Sequence, residues 1–158
     1  MHERKDLPIG ALVWRLSMRW RAAVDRTIAP LGLTHAQYSV LAPLLGMERS
    51  GQRPSQRQLA DFTGLEPLYV SKLARSLEAA GLVERTGDPK DTRAVQLGLT
   101  DRGRSVITEA IRLVRALHEE LTAALGGPEH PRTRELAESL WTLLEAPPTP
   151  PHETGESR

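Results

Sequence analysis

Apolar residues return along the first thirty positions at helical intervals. Ile9, Leu12, Val13, Leu16, Trp20, Ala23, Val24 and Ile28 fall on one face of an amphipathic helix. Pro30 and Gly32 end it, and Thr34 with Gln37 forms a capping box, in which side chains satisfy the orphan backbone donors of a helix start. A second helix is expected from about 35 to 46. Met47 to Pro54 is polar, contains Gly51 and Pro54, and reads as a loop. Ser55 with Gln58 repeats the capping box and opens a third helix, kept short by Gly64. Glu66 and Pro67 open a fourth, since the N–H that proline lacks at the first helical position would have no intrahelical partner. Gly81 closes it. Val70, Leu73, Ala74 and Leu77 form its apolar stripe, leaving Leu68, Tyr69, Ser71, Lys72, Arg75 and Ser76 elsewhere on the cylinder.

After Gly81 the period changes. Leu82 to Thr86 and Ala94 to Leu99 read as two strands, the second alternating Val95, Leu97 and Leu99, with Gly87 to Asp91 as a long, charged turn. Thr100 and Asp101 suit the start of a fifth helix, where a hydroxyl cap and a carboxylate complement the exposed N–H groups. Its stripe runs through Val106, Ala110, Leu113, Val114, Leu117, Leu121 and Leu125. GGPEHP at 126–131 interrupts the pattern before a last helix with Leu136, Leu140, Trp141 and Leu144. The proline-rich, polar stretch 146–158 has the composition of a disordered tail.

The order predicts a mainly α protein with a small β-hairpin wing. Helices two to four and the hairpin are the parts of a winged helix-turn-helix over 34–104, and 1–33 with 105–145 supply a helical dimerisation layer. In such a motif the second helix lies in the major groove while its partner braces it across the backbone. A helix over 67–80 is about 21 Å long, enough to cross a groove about 12 Å wide. Lys72 and Arg75 suit guanine edges or phosphates, Ser71 either kind of acceptor, and Tyr69 a thymine methyl or a phosphate. An ordinary solvated helix face would carry the same residues, so these alone do not decide the function.

The 158 residues fit one domain and hold no cysteine, which removes disulfides, thiolate metal sites and thiol redox sensing. The formal charge is only +1, yet residues 1–48, 49–104 and 105–158 carry +2, +3 and −4, so the basic excess sits in the middle of the chain. Arg15, Arg19 and Arg21 interrupt every early apolar run well short of the roughly 18 residues a membrane helix needs. A cytoplasmic protein without a secretory signal or membrane partner is expected. No nucleophile elbow, Gly-rich phosphate loop or HExxH motif points to an enzyme, and no cofactor is implied. His2, His35, His118, His130 and His152 lack ligand spacing in sequence, although folding could still gather distant imidazoles around a metal effector.

The stretch GLVERTGDPKDTRAVQLGLTDRG at 81–103 resembles the wing of the MarR family, the multiple-antibiotic-resistance type of winged-helix transcriptional regulators. The match includes the D-x-R signature at Asp91, Thr92 and Arg93 and the Leu99-Thr100 pair that follows. LGLTHAQYSVL at 31–41 and QLADFTGLEPLYVSKLARSLEAAGLVER at 58–85 extend the similarity, which covers roughly residues 9–145. The resemblance implies that Arg93 enters a minor groove, where a guanidinium meets enhanced negative potential. It also implies that Asp91 braces the wing through hydrogen bonds or an ion pair. The candidate DNA-binding set is Ser55, Gln56, Arg57, Leu68, Tyr69, Ser71, Lys72, Arg75, Lys90, Asp91 and Arg93. One departure bears on the sequence read. Where the family often has a Ser or Thr cap and small polar residues, this chain has Glu66, Leu68 and Tyr69, and Glu66 would oppose phosphate unless it turns toward a helix N–H or an arginine.

The resemblance further implies a two-fold homodimer, hence a pseudo-palindromic operator, and a pocket for an aromatic or phenolic effector. Repression is expected because a dimer occupying a promoter blocks polymerase by sterics alone. Trp14, Met18, Arg19, His35 and Tyr38 are the candidate ligand-binding residues, since an arginine beside an aromatic wall suits a carboxylate-bearing ring. Trp14 and Trp20 equally suit core or interface positions. A regulator with a metal effector or with none, and a winged-helix module that binds protein, are the alternatives.

Overall fold

The computed structural model describes residues 7–147, so most of the proline-rich stretch 146–158 lies outside the described residues. The elements are α1 (Ile9–Ile28), a 3₁₀ turn (Ala29–Leu31), α2 (His35–Arg49), α3 (Gln56–Thr63), α4 (Pro67–Ala79), β1 (Val83–Gly87), β2 (Val95–Leu99), α5 (Asp101–Thr122), a second 3₁₀ turn (Ala123–Leu125) and α6 (Pro131–Glu145). They form two compact units, divided between Leu117 and His118. The mainly helical fold with one antiparallel hairpin is the architecture expected from the sequence.

Both capping boxes are present: Thr34 accepts from the Gln37 N–H, Ser55 from the Gln58 N–H, and each glutamine amide receives the cap residue's own N–H. α2 runs through Arg49, three residues beyond the expected end. Its polar last turn is tied down by tertiary bonds that polarity along the chain does not reveal. The hairpin pairs Val83 with Leu99, Arg85 with Leu97 and Gly87 with Val95. A single bridge between Ser55 and Gln96 adds a third, one-residue strand. The Leu97 N–H donates to the Pro54 carbonyl there at 2.9 Å.

The core of the first unit gathers Val24 and Ile28 of α1, Val40, Leu41 and Leu44 of α2, Leu59 of α3, Val70, Ala74 and Leu77 of α4, Leu97 and Leu99 of β2, and Ile107 and Ala110 of α5. The expected α4 stripe is therefore buried as a set. On α5 two side chains are fully buried, Ala110 of the expected stripe and Ile107, which is absent from it, whereas Val106 beside Ile107 is only half-buried. The apolar face of α1 is sealed only at its C-terminal end, through Ala23, Val24 and Ile28; Ile9, Leu12, Val13 and Leu16 are exposed. In the second unit Thr133 Oγ1 donates to the Gly127 carbonyl at 2.7 Å, and α6 leaves Leu136, Trp141, Leu143 and Leu144 exposed. No helix among the described residues is long and apolar enough to cross a membrane.

Candidate nucleic-acid interface

α3 and α4 are joined by Gly64, in the left-handed region at φ 69°, followed by Leu65 and Glu66. Pro67 then starts α4 with its φ already suited to a helix. Because Val70, Leu73, Ala74 and Leu77 commit one side of α4 to the core, the opposite side is presented outward. Leu68 is 85% exposed and Tyr69 41%; Lys72, Arg75 and Ser76 are exposed as well, with Ser71 half-buried. An Arg75 guanidinium nitrogen lies 3.4 Å from the Ser71 hydroxyl, one turn back. Glu66 makes no capping bond to the helix and forms no ion pair among the described residues, so its charge stays on the surface beside this face.

At the start of α3, the Ser55 hydroxyl is engaged in its capping box and its backbone bridges Gln96. Arg57 is exposed, and Gln56 carries a buried Oε1 without a hydrogen-bond partner. The hairpin is fastened to α4 by Arg85, whose guanidinium lies 3.4 Å from the Glu78 carboxylate. Its tip is shaped by two carboxylates. Asp88 accepts the Lys90 N–H at 2.8 Å and Asp91 accepts the Arg93 N–H at 3.0 Å, while the Ala94 N–H reaches the Asp91 carbonyl at 3.0 Å. Within the described residues the Asp91 contact is thus a backbone hydrogen bond, not an ion pair with Arg93. This leaves the Arg93 side chain, like that of Lys90, on the surface. Asp88 lies in the expected charged turn though outside the expected DNA-binding set, and an aspartate two residues ahead of a turn N–H is a local signal.

The residues proposed for an effector divide. Trp14, 68% exposed, Met18 and Arg19 lie on the open face of α1, whereas His35 and Tyr38 are half-buried on α2. An open groove of 490 Å³ is lined by Arg21, His35, Ala36, Ser39, Pro43, Phe62, Thr63, Leu65 and Tyr69. A neighbouring one of 350 Å³ shares Arg21, Ala36 and Tyr69 and continues to Lys72 and Ser76. Of the five sequence candidates only His35 lines either groove. The cation common to both grooves is Arg21, two positions and more than half a helical turn from Arg19. Burial holds the His35 imidazole below the usual histidine range, against the opposing pull of the Asp25 carboxylate, which accepts the His35 backbone N–H at 2.6 Å. Burial raises the Tyr38 phenol above its ordinary value, so it stays a neutral hydroxyl at physiological pH. Among the described residues no three His, Asp or Glu side chains stand together as a metal site.

Comparison with known proteins places this geometry. The MarR family profile matches residues 31–94, from before α2 to the wing tip. The HTH-type transcriptional regulator YdcH of Bacillus subtilis is 33% identical over 115 residues, spanning 73% of this chain and 78% of the relative. The HTH-type transcriptional repressor Rv2887 of Mycobacterium tuberculosis is 31% identical over 137 residues, 85% of this chain and 94% of the relative. Among solved structures, the M. tuberculosis transcriptional regulator MOSR in complex with DNA superposes with a TM-score of 0.70 at 27% identity, covering 88% of this chain and 97% of that one. These relatives are regulators rather than enzymes. With the helix-turn-helix, the wing and more than three quarters of the length of each of these two relatives matched, the chain belongs to the MarR family.

Proposed function

We propose that this chain is a sequence-specific double-stranded DNA-binding transcriptional regulator, a homodimeric repressor released by a small aromatic or phenolic ligand. The observation that carries the reading is the outward face of α4. A leucine, a tyrosine and two cations stand in solvent on a helix whose other side is wholly committed to the core, beside an arginine-tipped hairpin. That is the equipment for major-groove docking with minor-groove support. The likeness to MOSR, solved with DNA, points the same way.

Two features support a second copy of the chain. Ile9, Leu12, Trp14 and Leu16 on α1, and Trp141 and Leu144 on α6, are large apolar side chains left in water. Isolated exposed leucines are ordinary, but apolar rows on terminal helices mark association surfaces. A dimer would offer two α4 helices to half-sites about one helical turn apart, hence a pseudo-palindromic operator. Arg21 with Phe62, Tyr69 and His35 in the larger groove supports an aromatic anion as effector. Release then requires only that the ligand bind better to the state with lower DNA affinity.

The test is operator mapping by nuclease protection upstream of the chain's own gene, followed by binding titrations across salt. Arg93→Ala is expected to weaken binding by about tenfold and reduce the salt slope by about one. Arg75→Ala is expected to relax base preference as well. Unchanged affinity in both variants rejects the assignment. Light scattering at micromolar concentration is expected at twice the 17.5 kDa chain mass. Salicylate-like compounds titrated against tryptophan emission and the operator complex test the effector, and no response across a broad panel rejects it.

A further inference from the structure

The second strand of the wing has an edge that no strand fully covers. While β1 pairs along one side of β2, the Leu97 and Leu99 N–H groups point to the other. Leu97 donates to the Pro54 carbonyl. Leu99 donates instead to a side chain, Glu48 Oε1 on the last turn of α2, at 2.6 Å. A carboxylate therefore stands where a neighbouring strand would have placed a carbonyl. Leu99 is fully buried, so its N–H would otherwise be an unpaired buried donor. The other Glu48 oxygen receives Arg104 Nε of α5 at 3.1 Å, and Arg104 also bonds Asp101 at 3.0 Å. The Glu48 side chain is only 17% exposed. Charge-assisted bonds in such a setting are the strong ones.

One carboxylate thus pins the root of the wing strand and the first turn of α5 onto α2. The far end of that strand leads, two residues back from Val95, to Arg93. From Leu99 to Val95 the strand is about 13 Å long, so a tilt of about 10° at the root displaces its far end by about 2 Å. That exceeds the tolerance of a hydrogen bond. We propose that Glu48 is a positioning residue for DNA binding, setting the angle at which the wing carries Arg93 onto the duplex. The proposal rests on the DNA-binding reading above and adds a residue whose two carboxylate oxygens are both engaged within the protein.

The test is a double-mutant cycle. Affinity for the duplex found by nuclease protection is measured across salt for the full chain, Glu48→Ala, Glu48→Gln, Arg93→Ala and Glu48→Ala with Arg93→Ala, at a temperature where circular dichroism shows every variant folded. Glu48→Ala is expected to weaken binding roughly tenfold and lower the salt slope by about one, as loss of the Arg93 contact does. Glu48→Gln, whose amide oxygen still accepts the Leu99 N–H, is expected to restore most of that loss. In the Arg93→Ala background, Glu48→Ala should change affinity less than about twofold. If Glu48→Ala does not fold, Glu48→Asp, a carboxylate one methylene too short, enters the same cycle. Equal weakening in both backgrounds, or an unchanged slope, overturns the positioning role while leaving the wing reading intact. No effect of Arg93→Ala alone overturns both.

Discussion

Gly103, in the first turn of α5, provides a test in which local and tertiary reasoning predict opposite signs. Glycine inside a helix is worse than alanine by about 0.5–1 kcal/mol, so helix propensity alone predicts that Gly103→Ala stabilises. The structure predicts the reverse. A Cβ on Gly103 would lie 1.9 Å from the Leu82 carbonyl oxygen and 2.9 Å from its carbon. Ordinary carbon–oxygen contacts begin near about 3.3 Å, so α5 would have to retreat by about 1.4 Å. The obstacle is backbone, and that same carbonyl receives the Thr100 N–H at 3.1 Å. The Thr100 hydroxyl meanwhile bonds the Gly81 carbonyl at 2.7 Å and caps the Gly103 N–H at 3.0 Å. Overpacking costs about 1–3 kcal/mol and a disrupted buried hydrogen bond about 1–3 more. Against the propensity gain, a net loss of about 3 kcal/mol is expected. At about 2–4 °C per kcal/mol for a chain of this size, the thermal midpoint should fall by about 6–12 °C. Gly46→Ala is the control, because Gly46 is also helical but has nothing within 4 Å of its Cβ position. It should gain up to about 1 kcal/mol. Melting curves at matched protein concentration read both changes. A Gly103→Ala midpoint equal to or above that of the parent would refute the close approach of α5 to Leu82.

Ser55→Ala removes the acceptor for the Gln58 N–H and should cost about 1 kcal/mol in urea unfolding; an unchanged midpoint would mean the cap is not formed in solution. Leu68→Ser, at a side chain 85% exposed, should leave the melting temperature within about 0.5 kcal/mol equivalent while altering operator affinity, and a large loss of stability would place Leu68 in a packed environment instead. Because burial depresses the His35 pKa, the unfolded chain binds its proton more readily than the folded one. Its contribution is thus fully present above the ordinary histidine value and is lost as pH falls below that value toward the depressed one. Urea midpoints measured between about pH 7.5 and 5.5 should drop further for the parent than for His35→Gln, and equal drops would contradict that placement.

Much of this protein is written in short stretches of its chain. The spacing of Val70, Leu73, Ala74 and Leu77 settles which side of α4 is core, and hence that Leu68, Tyr69, Lys72 and Arg75 face out. Thr34-Gln37 and Ser55-Gln58 mark two helix starts to the residue, because a cap is satisfied within four positions. The turn carboxylates of the wing are local for the same reason. Tertiary structure decided what depends on a partner remote in sequence. Glu48 reads as loop polarity until Leu99, fifty-one positions away, donates to it and extends α2 by a turn. The Ser55–Gln96 bridge has no period to detect, being one residue long. Periodicity places a stripe only approximately around a helix, so it includes Ala110 and omits Ile107, the largest α5 side chain that is fully buried. Both Arg19 and Arg21 are exposed, yet of the two the open groove is lined by Arg21 alone, since which side of a mostly open helix meets another element is fixed by packing and not by composition. Local hydrogen bonding and hydrophobic period act over a few residues, and so are legible in the chain itself. Edges, grooves and buried charges exist only once distant segments have met.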